Sequence, residues 1–345
     1  MYVGFTMDFR NVSGRPWREH WEDCLWLLVQ SEAMGFDYVM VQEHFCTDDG
    51  YGPSVPVFLA LLAERTSTIR IGSYLYVLPL HNAAVLAQET AVLDHLSDGR
   101  LDVSVGAGHR PLEYRVMGYS PKTRPSRMQE GLDVLRLAWT ERPFSYHGRY
   151  YELDDVTVNP PPLQQPHPPL WVGATAPAAA HRAGRAGANL RSASVGGDFY
   201  GAYIAGLAEA GVDRESVRIS KGVSITVTDE NPQHVWDHHH DLYVERWDFY
   251  HRIRAEMGDP DLRRSESPSL ERYRDAELIG DATAVTEALA SMRDAEPVTD
   301  IVHLGPASGI DIRTEAYESL QQFAENVLPA VKSWPTVRPW NVVRH

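Results

Sequence analysis

Short apolar runs alternate along the chain with longer segments whose apolar residues recur at three- and four-residue steps. From Trp17 to Met34 the helical spacing is carried by Trp21, Leu25, Leu28 and Val29, and Gly35 falls where such a helix stops. The run Tyr38-Val39-Met40-Val41 follows. A run this short also suits a buried helix, but its length, its β-branched and aromatic content and the Met34-Gly35-Phe36-Asp37 punctuation before it favour a strand. The same criteria predict strands at Tyr2–Met7, Ile69–Tyr76, Leu101–Val105, Leu170–Val172, Leu190–Ala193, Val217–Val227 and Ile301–Leu304. Helices are predicted between and after them at Pro53–Arg65, Ala83–Leu96, Pro125–Trp139, Pro177–Ala186, Phe199–Ala210, Gln233–Met257 and Thr314–Val331.

Eight βα units in one continuous run predict an α/β protein, a closed parallel (β/α)8 TIM barrel, with an open doubly wound sheet as the rival. Two segments break the rhythm. Phe144 to Pro162 reads as a hairpin inserted after unit four, turned at His147-Gly148 and followed by a Pro-rich bend. Gly258 to Glu277 is a polar insertion between strands seven and eight, which reads equally as a lid on the active-site side or as a solvated loop. Residues 1–334 are thus expected to form one barrel domain and 335–345 a C-terminal extension; from Lys332 the tail reads as an extended strap or a fraying end.

Composition narrows the partners. Apolar residues make up 43% and charged residues 23%, which suits a globular enzyme, and the formal charge of −15 repels phosphate backbones and anionic membranes, so neither nucleic acid nor membrane is an expected partner. Against that background Arg110, Arg115, Lys122, Arg124 and Arg127 form a local basic cluster. Cys24 and Cys46, the only cysteines, build neither a disulfide framework nor a thiolate zinc site, and the first residues lack a signal-peptide pattern. A cytoplasmic location is expected.

Candidate chemistry sits at strand ends, where a parallel barrel keeps its active site. Gln42-Glu43-His44-Phe45 closes the second strand. His44 can serve as acid, base or hydrogen-bond donor near neutral pH; a lone histidine is often structural, but the strand-end position and the acidic neighbour favour function. Strand parity turns Glu43 the opposite way, towards a supporting role. After the fourth strand, Gly106-Ala107-Gly108-His109-Arg110-Pro111 lacks the Rossmann spacing, because Pro111 stands where the third glycine belongs. It holds the ingredients of an anion site, though a tight turn needing two glycines would read the same. Arg127, near the next helix start, adds a planar fork suited to phosphate. In Trp171-Val172-Gly173-Ala174-Thr175-Ala176-Pro177, Gly173 allows close approach of a ligand, and Thr175 can cap the helix and offer its hydroxyl; a plain N-cap would look alike. The histidines of Gln233 to Asp241 encircle their helix without a second ligand pair, so a solvated face and no metal are expected. Met7, Cys46 and His109 are expected to border an aromatic-containing substrate pocket, Cys46 as wall rather than nucleophile.

The chain resembles the bacterial luciferase-like flavin-dependent monooxygenase family, which includes deazaflavin-dependent oxidoreductases. The resemblance is carried, in order, by Glu43-His44, Ile71-Gly72-Ser73-Tyr74-Leu75-Tyr76-Val77-Leu78-Pro79, Leu93-Asp94-His95-Leu96-Ser97-Asp98-Gly99-Arg100-Leu101, Gly106-Ala107-Gly108, Arg115-Val116-Met117-Gly118, Ser126-Arg127, Trp171-Val172-Gly173 and Gly280-Asp281. It implies a barrel with flavin at the C-terminal mouth, His44 beside the flavin assisting proton transfer, and a non-proline cis peptide at Tyr74-Leu75 beneath the ring. It further implies phosphate contacts from Arg127 and Thr175 and backbone lining at Gly106, Gly108, Gly173 and Ala176. The luciferase α subunit has Arg where this chain has Ala107, for which Arg110 is the candidate substitute, and its reactive cysteine corresponds to Gly106. Some deazaflavin-dependent members carry Glu where this chain has His109. The function implied is a monooxygenase using reduced FMN (FMNH2) and O2 on a small organic substrate, supplied by a separate flavin reductase and assembled as a homodimer. A deazaflavin-dependent hydride-transfer oxidoreductase is the alternative, and a non-catalytic flavin-binding partner subunit the reading from another class.

Overall fold

A computed structural model describes residues 1–192, 196–256 and 270–335. Its barrel strands are β1 (Tyr2–Thr6), β2 (Tyr38–Val41), β3 (Arg70–Ser73), β4 (Leu101–Gly106), β5 (Leu170–Gly173), β6 (Asn189–Ser192), β7 (Ile219–Val227) and β8 (Asp300–Leu304). Each pairs in parallel with the next, and β8 pairs with β1, so the sheet closes and the open-sheet rival falls away. The helices that cover it are α1 (Trp17–Ala33), α2 (Val55–Arg65), α3 (Ala83–Leu96), α4 (Arg124–Thr140), α5 (Pro177–Arg185), α6 (Gly197–Glu209), α7 (Pro232–Glu256) and α8 (Tyr317–Asn326). Among the described residues no helix is long and apolar enough to cross a membrane.

Strand parity separates two cores. Outward residues such as Val3, Phe5, Val39, Val41, Ile71, Val103, Val105 and Leu190 pack under the helices in the main apolar cluster, while Tyr38, Met40 and Val302 form a separate cluster with Tyr2, Tyr74 and Leu304. The barrel interior is partly polar. Arg70 meets Asp102 at 2.6 Å, Arg218 pairs with Asp300, and Arg191 donates to the Ser104 and Ser220 hydroxyls at 2.7 and 3.1 Å. Burial there is tolerated because each charge carries hydrogen bonds.

Most predicted elements are present within a few residues, and the hairpin pairs Phe144–His147 with Glu152–Val156. The departures are local. The predicted strand Ile69–Tyr76 is interrupted by the Tyr74-Leu75 bond, which is cis, and resumes at Tyr76–Val77 against β4. The predicted helix Thr314–Val331 divides into a π-helical turn at Ile312–Ala316, α8, and a last short helix at Leu328–Ser333 that begins around Pro329. Lys332 and Ser333 are therefore helical rather than part of an extended strap, and the extension from 336 onward lies outside the described residues. Of the polar insertion, 257–269 lies outside the description; Leu270–Asp275 is helical and Glu277–Gly280 is an additional strand on the upper half of β7, followed by a helix at Ala282–Ala295. A four-residue strand opening on a glutamate offers no alternation to read.

His303 of β8 points outward into the main core, its ring 5.5, 6.4 and 4.9 Å from those of Phe5, Phe36 and Phe323. Both ring nitrogens are buried without a hydrogen-bond partner among the described residues, and burial pushes the pKa down to about 3. A depressed folded-state value makes the unfolded chain the stronger proton binder below its ordinary value of 6.5, so this contribution is intact above that pH and is lost as pH falls towards 3. His303→Phe is expected to shrink the stability loss between pH 7 and pH 4.5 by about 2–3 kcal/mol, measured by urea unfolding at both values. An unchanged difference would reject the assignment.

Candidate active site at the barrel mouth

Where β2 ends, chain direction sends two neighbouring side chains to opposite tasks. Glu43 is buried and accepts the Val77 N–H at 2.7 Å and His81 Nε2 at 2.9 Å, tying the end of the second unit to the chain that follows the cis step. Burial alone would lower the His81 pKa, but the Glu43 carboxylate beside it leaves it raised. Glu43 is thus a support residue, as parity predicts. His44 faces the mouth. Its Nδ1 lies 3.0 Å from Glu113 Oε1, which also accepts the Phe45 N–H at 3.0 Å, so a buried carboxylate fixes the ring and leaves Nε2 for proton exchange.

Glu113 was not among the predicted site residues. It belongs to a short helix, Pro111–Val116, that the glycine-rich segment hides from periodicity. The sequence does carry its signal, since Pro111 at the first helical position with an acid in the first turn is a helix start. The second Glu113 oxygen, Oε2, is buried and unpartnered among the described residues.

An aromatic wall encloses His44. Ring centroids of Tyr51, His109 and Phe249 lie 4.5, 5.6 and 5.9 Å from the imidazole, and the Tyr51 and Tyr250 hydroxyls hydrogen-bond each other. Burial raises the Tyr51 pKa well above the phenolic value, so this hydroxyl stays protonated. Phe249 and Tyr250 come from α7, a contribution that sequence order gave no reason to place here. Behind them Arg10 binds Asp8 at 2.7 Å and Glu245 at 2.5 Å, with its guanidinium 5.2 Å from the Phe249 ring.

The cis step forms the floor. Leu75 wedges between β4 and β5: a Cβ at Gly106 would stand 2.6 Å from Leu75 Cδ1, and one at Gly173 would stand 2.1 Å from Cδ2. The Leu75 side chain by itself therefore requires glycine at both positions. Gly108 has φ +64°, and its missing Cβ leaves room for Val77. On the other side, the Tyr74 hydroxyl fills the space that a Cβ at Gly222 of β7 would take.

Around this floor the basic cluster divides. Arg110 Nη1 donates to the Phe45 and Cys46 carbonyls at 2.6 and 3.0 Å, clasping the loop after β2. Arg127 lies between two rings, its Cζ 3.8 Å from the Tyr119 centroid and 4.3 Å from that of Tyr150, with Nε buried and unpartnered among the described residues. Thr175 is exposed and makes no cap; the N-cap position of α5 belongs to Ala176, which has no side chain to fill it. Met7 is buried at the end of β1, and His109 is half-buried, 6.0 Å from the Tyr250 ring. Cys46 is exposed with φ 56°, in a left-handed turn where strand alternation ends. In the histidine-rich run, Glu315 joins His238 and His239, with ligand atoms within 4.8 Å of one another; His239 and Glu315 form an ion-pair contact at 2.8 Å.

A closed parallel barrel with a buried His-Glu pair and an aromatic wall at its C-terminal mouth is the arrangement of a barrel enzyme. The chain belongs to the luciferase-like monooxygenase family, whose sequence profile matches residues 1–297. It is 32% identical to an F420-dependent glucose-6-phosphate dehydrogenase of Kineococcus radiotolerans over 215 residues, 59% of this chain and 63% of that protein. It is 27% identical over 176 residues to the oxygenase component of a flavin-dependent trigonelline monooxygenase of Acinetobacter baylyi, covering 50% of this chain and 49% of that one. The chain thus spans roughly half to two-thirds of these relatives. The monooxygenase RslO1 from Streptomyces bottropensis shares the fold, with a TM-score of 0.82 at 24% identity over 96% of this chain and 100% of that one.

The mouth suits a flavin-type group. Two buried polar atoms, Glu113 Oε2 and Arg127 Nε, lack partners among the described residues and could be met by such a group.

Proposed function

We propose that the protein is a reduced-FMN-dependent monooxygenase acting on a small organic substrate. The observation that carries this reading is His44, held by Glu113 and enclosed by Tyr51, Phe249 and His109 beside the Tyr74-Leu75 floor. Arg127 and Thr175 would hold the cofactor phosphate, with Arg110 at the rim and the backbone of Gly106, Gly108, Gly173 and Ala176 as lining. Bound reduced flavin would supply the two electrons that activate O2, one atom entering the substrate and the other leaving as water. The chain's own part is to fix that group, exclude water with the aromatic wall, and give or take a proton at His44 Nε2. A separate reductase would deliver the reduced flavin, consistent with the trigonelline relative being named an oxygenase component.

Hydride transfer with a deazaflavin is the second reading, favoured by the 32% identity to the F420-dependent dehydrogenase. Anaerobic titration separates the two. Reduced FMN is expected to bind at micromolar or lower concentration and to consume O2 on mixing; tight binding of reduced deazaflavin with no affinity for FMN would replace the first reading by the second.

Homodimerisation belongs to the same proposal. Trp17, Val57 and Leu61 are exposed on α1 and α2 around a groove of about 450 Å³, and Val85, Val92 and Leu96 are exposed on α3. Large apolar residues exposed on neighbouring helices suit an interface. Sedimentation equilibrium is expected to give twice the chain mass of 38.8 kDa, and Leu61→Glu to shift it to the monomer. A monomeric wild type would dismiss the interface.

A further inference from the structure

We propose that Arg191 is an uncompensated cation beneath the cofactor floor and biases the bound cofactor towards an anionic reduced form. The inference rests on the flavin reading above. Arg191 lies on β6 opposite Gly173, the last residue of β5, and Ser220, near the start of β7. The residue is 3% exposed. Its Nε and Nη1 donate only to neutral acceptors, the Ser104 and Ser220 hydroxyls, and Nη2 is buried without a hydrogen-bond partner among the described residues. The guanidinium carbon stands 4.0 Å from the Trp171 centroid and 5.7 Å from that of Tyr74, the first residue of the cis step.

The other arginines of the barrel interior differ in this respect. Arg70 is paired with Asp102 and Arg218 with Asp300, so those carboxylates already have direct partners. Arg191 makes no ion pair among the described residues; the buried Asp300 carboxylate feels its charge from a distance but is already bonded to Arg218. Serine hydroxyls and π faces soften the cost of burying a guanidinium but do not neutralise it. An anion above Tyr74 would do so, and a cation this close in a poorly polarisable interior acts on the mouth with little screening. Two-electron reduction of flavin can place a negative charge on the ring system, whereas the oxidised ring is neutral. Arg191 therefore favours the reduced form over the oxidised one, independently of any direct contact with substrate.

Anaerobic titration of the full chain with oxidised FMN and with dithionite-reduced FMN tests this. Arg191→Met, which keeps apolar bulk and removes the charge, is expected to lower the ratio of reduced to oxidised affinity on the order of tenfold. Arg191→Lys is expected to keep most of the ratio. An unchanged ratio in Arg191→Met, or an equal fall in Arg191→Lys, would overturn the proposal, the latter by assigning Arg191 to barrel packing. A second measurement needs no variant: reduced FMN bound to the wild type is expected to remain anionic, by its absorption spectrum, at least one pH unit below the point where free reduced FMN protonates. Protonation at or above that point would overturn the proposal as well. Wild-type protein that binds FMN in neither state would instead sink the parent reading and this proposal with it.

Discussion

His44→Ala is expected to lower turnover by about 100- to 10,000-fold while leaving affinity for the reduced cofactor nearly unchanged. The ring is held in its place by one strong contact, Nδ1 to Glu113 Oε1 at 3.0 Å, and the same oxygen accepts the Phe45 N–H, so strand end and imidazole are positioned together. Removing the imidazole removes the proposed proton carrier without disturbing Glu43, whose bonds to Val77 and His81 maintain the strand end. A loss in turnover with cofactor affinity retained is the signature of a group that acts after binding. Glu113→Gln separates orientation from proton transfer. Its amide can present N–H groups to Nδ1 and favour the wrong tautomer, so an intermediate loss is expected with the protein fully folded. Stopped-flow turnover and equilibrium cofactor titration on both variants provide the readings. Full activity in His44→Ala would remove the residue from the mechanism, and full activity in Glu113→Gln would reduce the carboxylate to packing.

What could be read ahead of the structure followed from local patterns. Short apolar runs bounded by turn residues alternating with period-3.6 helices predicted the barrel, the His147-Gly148 turn its inserted hairpin, and parity alone turned Glu43 and His44 to opposite sides. Glu113 escaped because a six-residue helix is too short to display a face, although Pro111 announced its start. Phe249 and Tyr250 escaped for a different reason. They lie about two hundred positions from His44, and only closure of the barrel brings α7 over the end of β2. The two loop glycines were legible as constrained positions, but the constraint is the Leu75 side chain, and a single sequence cannot tell a neighbour's side chain from a ligand. Thr175 shows the limit of propensity: a good capping residue stands one position before the N-cap of α5, where its hydroxyl caps nothing.

Glu277→Ala is expected to destabilise the fold by about 3–5 kcal/mol, a large share of the ~5–15 kcal/mol typical of a domain. Glu277 is 3% exposed and its carboxylate gathers three donors: Arg246 Nη2 at 2.5 Å, Ser224 Oγ at 2.5 Å and Trp247 Nε1 at 2.9 Å. Burial alone would lower the Arg246 pKa, but Glu277 beside it raises it, so the guanidinium remains charged in the core. Among the described residues, deleting the carboxylate leaves that cation with the Ser224 hydroxyl and the Gly305 carbonyl as acceptors, and the indole N–H without one. The double variant Glu277→Leu with Arg246→Met removes both charges and is expected to recover most of the loss, because the destabilisation comes from the orphaned partner more than from the pair. The consequence extends to the active site. Arg246 fastens α7 to Ser224 of β7 and to Gly305 after β8, and Trp247 fastens it to Glu277, three residues before Phe249 and Tyr250 respectively. Loss of the fastening should therefore loosen the wall over His44 and weaken cofactor binding in the folded fraction. Urea unfolding of the single and double variants, with cofactor titration below the transition, gives both readings. A single-variant loss under about 1 kcal/mol would place Glu277 among ordinary surface ion pairs and leave α7 held by its apolar face alone.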